Sequence, residues 1–123
     1  MRVVIQRVLN AEVKVSGKVV GAIDHGLLVL LGIEKQDGPD DVVWLVNKLI
    51  NLRIFNDQNG VMNESLIAVD GNLLVISQFT LMASTKRGNR PSYSQAAGHE
   101  IAIPLYEMFV TKAEEKLNKK VAR

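Results

Sequence analysis

Cysteine is missing from all 123 residues, which excludes disulfides, zinc–thiolate centres and a thiol nucleophile. Histidine is scarce, with two in the chain. His25 sits in an Asp24-His25-Gly26 turn pattern and His99 in a polar stretch ahead of the last helical pattern. Neither has the spacing of a metal ligand or of a base beside a nucleophile, so no metal site is expected. No apolar run approaches the ~20 residues needed to span a bilayer. The longest, Leu27–Leu31, is bracketed by Gly26 and Gly32 and reads as a central strand. The N-terminus moves directly into Arg2-Val3-Val4-Ile5 without the layout of a signal peptide. Glycine-rich nucleotide fingerprints, internal repeats and low-complexity stretches are absent as well. These absences point to a cytoplasmic globular protein with no membrane partner and no cofactor.

What is present is enough for one core. A chain of this length is most simply a single domain, and 47% hydrophobic with 23% charged residues is an ordinary globular balance. The net charge of +2 is small, so its distribution matters more. Lys86, Arg87 and Arg90 cluster in one loop. Lys112, Lys116, Lys119, Lys120 and Arg123 crowd the C-terminal segment, where Glu114 and Glu115 interrupt them. The second cluster reads equally well as a solvated helix face.

Along the chain, residues 2–8 are strand-like. Glu12–Val15 and Lys18–Ile23 flank Ser16-Gly17, a hairpin signal. Asp37-Gly38-Pro39-Asp40 predicts a helix start, and Val42, Val43, Leu45, Val46, Leu49 and Ile50 carry the helix to about Leu52. Trp44 within it is expected to pack in the core or an interface rather than to serve as a stacking platform. Asp57-Gln58-Asn59-Gly60 is a turn, and Asp70-Gly71-Asn72 leads into a strand over Leu73–Phe79. Residues 82–99 form a polar, basic loop. A last helix starts near Ile101–Pro104 with Leu105, Tyr106, Phe109, Val110, Ala113 and Leu117 on one face. This order predicts a compact α/β domain: a largely antiparallel or mixed β-sheet curled towards a barrel, with two main helices. Too few βαβ units exist for a doubly wound sheet.

The chemistry concentrates in Leu73-Leu74-Val75-Ile76-Ser77-Gln78-Phe79-Thr80-Leu81 and in the Lys86-Arg87-Gly88-Asn89-Arg90-Pro91 loop behind it. A buried-looking strand that runs into Ser-Gln-Phe-Thr places polar groups on a rigid element, and the basic loop suits an anion. Strand alternation puts Ser77 and Phe79 on one face and Gln78 and Thr80 on the other. On that reading Gln78 and Thr80 flank a pocket while Phe79 anchors the strand in the core. Unpaired amides of Phe79 and Thr80 can face a developing oxyanion, where one such donor is worth about 3 kcal/mol. Thr80 as nucleophile needs a base, and none is visible nearby. A positioning mechanism, with the substrate's own hydroxyl or a bound water completing the chemistry, is the alternative. The carboxylate pairs Asp40-Asp41 and Glu114-Glu115 sit at a helix start and on a helix face, where dipole compensation and solvation account for them.

Several segments, in order, resemble the D-aminoacyl-tRNA deacylase family. They are Met1–Val8, Gly26–Ile33, Asn51-Leu52-Arg53-Ile54-Phe55, Ser77-Gln78-Phe79-Thr80-Leu81, Lys86–Pro91 and Pro104-Leu105-Tyr106-Glu107. The resemblance implies a cofactor-free homodimeric hydrolase. Its substrates would be D-aminoacyl-tRNA and glycyl-tRNA, cleaved at the ester to the 3′-terminal adenosine. It implies that Ser77, Gln78, Phe79 and Thr80 line the catalytic pocket and that Lys86, Arg87, Gly88, Asn89, Arg90 and Pro91 form the basic tRNA-facing loop. Arg7 would brace the partner subunit's chirality-selecting loop. The family pattern extends past the last helix into strands bearing a Gly-Pro-x-Thr motif. The only Gly-Pro here is Gly38-Pro39, at a helix start, so residues 1–123 are expected to form one such domain without those C-terminal strands. The competing readings are a non-catalytic module that binds a tRNA or other RNA 3′ end, and a purely structural dimer module.

Overall fold

Alternation at the start of the chain produces β1 (Arg2–Val8), whose Val3 and Ile5 pack against the core while Arg2, Val4 and Gln6 face outward. The structure is a computed structural model describing residues 1–123. Ser16 and Gly17 both take positive φ, 52° and 79°, the geometry of a two-residue hairpin. They join β2 (Ala11–Val15) to β3 (Lys18–Ile23). β4 (Gly26–Gly32) follows, with Leu27, Val29 and Leu31 wholly buried.

Helix α1 (Pro39–Asn51) starts where the sequence predicts. Pro39 needs no amide partner at the first helical position, and the Gly38 amide donates to Asp41 Oδ2 at 2.8 Å. Its buried stripe is Val42, Val46, Leu49 and Ile50. The short strands β5 (Phe55–Asn56) and β6 (Met62–Glu64) then pair around the Asp57–Gly60 turn. Asp57 Oδ1 accepts from the amides of Val61 and Asn59, and the Val61 bond foremost holds its carboxyl below the usual range. β7 (Asn72–Ser77) leads through a single 3₁₀ turn, Phe79–Leu81, into the polar loop. Helix α2 (His99–Leu117) closes the domain and ends on Asn118 in the left-handed conformation, φ 53°.

The main sheet has the order β1-β4-β7. β4 runs antiparallel to β1 and parallel to β7. Being bonded on both edges and covered by α1 and α2, it reads as an unbroken apolar run. The register sets Arg2 opposite Gly32 and Leu31 opposite Ser77, so these residues share one end of the sheet. Arg7, opposite Leu27, belongs to the other end, as does Leu73. The Tyr106 hydroxyl ties α2 to β7 by donating to the Val75 carbonyl at 3.0 Å, and burial pushes its phenol pKa up. Ala122 extends β7's other edge through bonds with Leu73 and Val75.

The mixed sheet and two helices agree with the expected α/β class. No closed barrel is found: the strands form one three-stranded sheet and two two-stranded ones. Two further expectations fail. The strand stops at Ser77 rather than Phe79, and the Phe79 ring is 58% exposed rather than in the core. Of the two places expected for Trp44, the structure excludes the core: the residue is 63% exposed, because the buried stripe of α1 lies on the other side of the helix.

The reason for the early strand end is Gly32. A methyl group there would sit 2.8 Å from Leu81 Cβ and 3.1 Å from Met82 Sδ. The 3₁₀ turn therefore rests on a main chain without a side chain, tied by the Gln78 amide donating to the Leu31 carbonyl at 2.8 Å. Gly32→Ala is expected to cost about 1–3 kcal/mol. Guanidinium denaturation should show a lower midpoint with an unchanged slope; an unmoved midpoint would mean that the turn yields freely.

Candidate active site

The turn after β7 gathers the polar residues that the sequence singles out. Ser77 is the last, exposed residue of β7. Gln78 adopts φ −140° and ψ 89° and starts the turn. Its side-chain Nε2 donates to Thr80 Oγ1, so Gln78 and Thr80 do meet. They meet through a turn, however, and not through the side-chain alternation of a strand. Leu81 and Met82 donate back to the carbonyls of Gln78 and Phe79. A 3₁₀ turn leaves its opening amides, here Phe79 and Thr80, without partners inside the turn.

Thr80 Oγ1 has one hydrogen-bond partner, the Gln78 amide. An amide cannot take a proton, so within this chain nothing converts the hydroxyl into an alkoxide. With a donor fixed on its oxygen, the hydroxyl keeps its own proton available to donate. The local chemistry is thus neutral hydrogen-bond donation towards a carbonyl-type oxygen. No set of three or more His, Asp or Glu side chains is gathered in a way that could hold a metal.

The basic loop is brought beside this turn. Ser84 and Ser92 exchange two 2.8 Å backbone hydrogen bonds that pinch residues 85–91 into a closed loop. Gly88, at φ 116°, makes the reversal that a side chain would resist. Lys86, Arg87 and Arg90 line a cavity of about 390 Å³ together with Ser84, Ser92, Ser94 and Gln95. Gly88, Asn89 and Pro91 are exposed and shape the loop without lining that cavity. Three cations, three hydroxyls and no carboxylate make it suited to an anion. None of the three cations has a carboxylate within ion-pair distance.

Two contacts at the turn are not revealed by the sequence, one to the loop and one to β1. Tyr93, just beyond Pro91, packs edge-on against Phe79 with ring centres 5.5 Å apart. Arg2 donates from Nη1 to the Leu81 carbonyl at 2.5 Å. Both contacts depend on tertiary placement, which a single sequence does not display.

Arg7 is not brought to the turn. It lies about 17 Å further along β1 than Arg2, at ~3.4 Å per residue. Its Nη1 donates to the Ile54 carbonyl at 2.8 Å and to Asn56 Oδ1 at 3.4 Å. Four of the five basic residues of the C-terminal cluster are in ion pairs, and Lys116 is not. Lys112, Lys119, Lys120 and Arg123 pair with Glu115, Asp70, Glu114 and Glu107.

The site thus combines a turn of neutral donors on a rigid strand end with an anion-accepting loop. The chain belongs to the D-Tyr-tRNA(Tyr) deacylase family, whose model matches residues 4–123. It is 56% identical over 121 residues to the D-aminoacyl-tRNA deacylase of Bacteroides fragilis (strain YCH46), covering 98% of this chain and 81% of that protein. Among solved structures, the c-Myc DNA unwinding element binding protein superposes with a TM-score of 0.90 at 35% identity, covering 94% of this chain and 78% of that one. A probable eukaryotic D-amino acid tRNA deacylase superposes with a TM-score of 0.79 at 19% identity, over 94% and 68% of the two chains. The second likeness is one of fold.

Arg2→Ala should loosen the turn without unfolding the sheet. The expected outcome is faster hydrogen exchange at the Leu81 and Met82 amides, with exchange in β4 unchanged. Equal protection in both proteins would show that Arg2 does not hold the turn.

Proposed function

We propose that this chain hydrolyses the ester between a D-amino acid, or glycine, and the 3′-terminal adenosine of tRNA, a proofreading reaction of the cytoplasm. The observation that carries the proposal is the turn of donors at Ser77–Thr80 in a chain of the D-Tyr-tRNA(Tyr) deacylase family. In the proposed reaction the amides of Phe79 and Thr80 and the Thr80 hydroxyl bind the ester carbonyl oxygen as it gains charge. Water attacks the carbonyl carbon, the bond to the ribose oxygen breaks, and the water's proton ends on that ribose hydroxyl. The neighbouring ribose hydroxyl orients the water, since Thr80 has no base to make it a nucleophile. Gln78 holds the Thr80 hydroxyl in place, and Lys86, Arg87 and Arg90 take the phosphates of the acceptor end.

A homodimer is part of the proposal. Val4 on β1 and Phe79 on the turn are exposed, and the principal cavities are lined by residues other than Ser77–Thr80. Both features suit a pocket completed by a second copy. Only Nη1 of Arg7 is engaged within the chain, which leaves the rest of its guanidinium for the partner's loop.

The reading at odds with catalysis is a module that binds an RNA 3′ end without turnover. The observation in its favour is the absence of a proton acceptor on Thr80. Release of labelled amino acid from D-tyrosyl-, glycyl- and L-tyrosyl-tRNA separates the two. Cleavage of the D and glycyl esters alone is the expected result; binding without cleavage of any ester supports the module. In the same assay Thr80→Ala should lower kcat about tenfold, the loss of one positioning hydrogen bond. A loss beyond about 10⁴-fold would make the hydroxyl the nucleophile after all.

Replacing Arg87 and Arg90 together with Ala should weaken tRNA binding and flatten its salt dependence. Each phosphate that the variant no longer neutralises lowers the slope of log K against log salt by about 0.7 to 0.9. An unchanged slope, measured by filter binding at several salt concentrations, would place the phosphates elsewhere.

A further inference from the structure

Away from the turn and the basic loop, one stripe of α1 remains unpartnered. It carries Trp44, the chain's single tryptophan, exposed opposite the helix's buried side. Trp44, Asn47, Lys48 and Asn51 are spaced i, i+3, i+4 and i+7, and so stack along one face. With Leu52 and Arg53 they line an open cleft of about 400 Å³. The Lys48 ammonium stands 5.5 Å from the centre of the indole ring. Arg53 is held by donating from Nε to the Asn63 main-chain carbonyl at 2.8 Å and from Nη2 to Asn63 Oδ1. Those bonds orient the guanidinium and leave its charge uncancelled. No carboxylate lines the cleft, and neither cation is in an ion pair.

Core packing does not explain an indole placed here, since its ring faces water. An aromatic face, two uncancelled cations and the Asn47 amide match the needs of a single-stranded nucleotide. The base stacks on the ring, the phosphates meet the cations, and the amide reaches a base edge. An acidic protein surface would use the cations but gain little from the indole.

We propose that this α1 cleft is a second RNA-binding site, distinct from the turn and its basic loop. It takes one unpaired nucleotide of the RNA substrate, with the base on Trp44 and the flanking phosphates on Lys48 and Arg53. That the RNA is tRNA rests on the deacylase reading; the cleft's chemistry does not.

Because Trp44 is the only indole, intrinsic fluorescence reports on this cleft alone. Titration with a short single-stranded oligoribonucleotide and with deacylated tRNA should quench it saturably. Polyglutamate, a polyanion without bases, should leave it nearly unchanged. The double variant Lys48→Ala/Arg53→Ala should bind the oligoribonucleotide more weakly and with a salt slope shallower by about 1.4, at ~0.7 per single-strand phosphate. With aminoacylated substrates, Trp44→Ala should raise the ratio of KM for D-tyrosyl-tRNA to KM for D-tyrosyl-adenosine about tenfold, and Trp44→Phe, which keeps a ring, should restore most of it. No quenching by either RNA, equal quenching by polyglutamate, or an unmoved KM ratio would overturn the proposal. The two readings fail separately. If no ester is cleaved, quenching and salt slope still decide the cleft. If esters are cleaved while Trp44 stays silent to RNA, the cleft alone is refuted.

Discussion

The missing side chain at Gly32 is the constraint on which the active-site geometry depends. β4 is locked on both edges, with Leu27, Val29 and Leu31 fully buried on one face and both end glycines buried, so its end cannot shift to make room for the segment that follows β7. Leu81 and Met82 approach Gly32 more closely than a methyl group would permit. That approach converts what would be two further residues of strand into a 3₁₀ turn, and the turn frees the amides of Phe79 and Thr80. Strand pairing along β4 would have consumed those donors or aimed them sideways. The donor turn is therefore a consequence of how β4 ends, one register step beyond Leu31 and Ser77.

Charge pairing divides the cations of this chain into neutralised and uncancelled ones. On α2 and the segment after it, every basic residue of the cluster except Lys116 faces a carboxylate on the same helix or on the turn before β7. Exposed pairs of this kind contribute little to stability, but they flatten the local potential. Around residues 84–95 and along α1 the cations have no such partners, and their potential extends into open cavities. A chain of net charge +2 can thus present positive ground to a polyanion in chosen places without being strongly basic overall.

Periodicity made most of the fold legible. The Ser16-Gly17 hairpin, the apolar run at 26–32, the Gly38-Pro39 helix start and the α2 stripe from Leu105 to Leu117 all follow from local rules, because backbone preference and burial agree there. The site residues were legible as a pair of motifs, but their arrangement was not. Phe79 and Thr80 favour strand by propensity, and only a tertiary fact, the bare main chain of Gly32 across the sheet, overrides it. Phe79 is apolar and was expected inside; it stands out because the turn rotates it towards Tyr93. Trp44 lies outside the core for a related reason. Its neighbours Val43 and Leu45 widen the apolar stripe, so helical spacing alone does not show on which side the stripe closes. Arg2 and Tyr93 stayed hidden because pairings across 79 and 14 residues of chain need the tertiary placement to be known.

The composition of the turn also bears on what kind of selectivity it can exert. Main-chain amides at a 3₁₀ turn have fixed positions, and in the proposed reaction they touch the part of an aminoacyl ester common to every amino acid. They recognise a carbonyl; they do not recognise a side chain. Discrimination between mirror images must then come from what is forbidden next to that carbonyl. A rigid backbone forbids more effectively than a side chain, which gives way under ~1–3 kcal/mol of crowding. Glycine offers nothing to forbid. A site that rejects one hand by exclusion, and attracts neither, should therefore accept glycine together with the permitted hand.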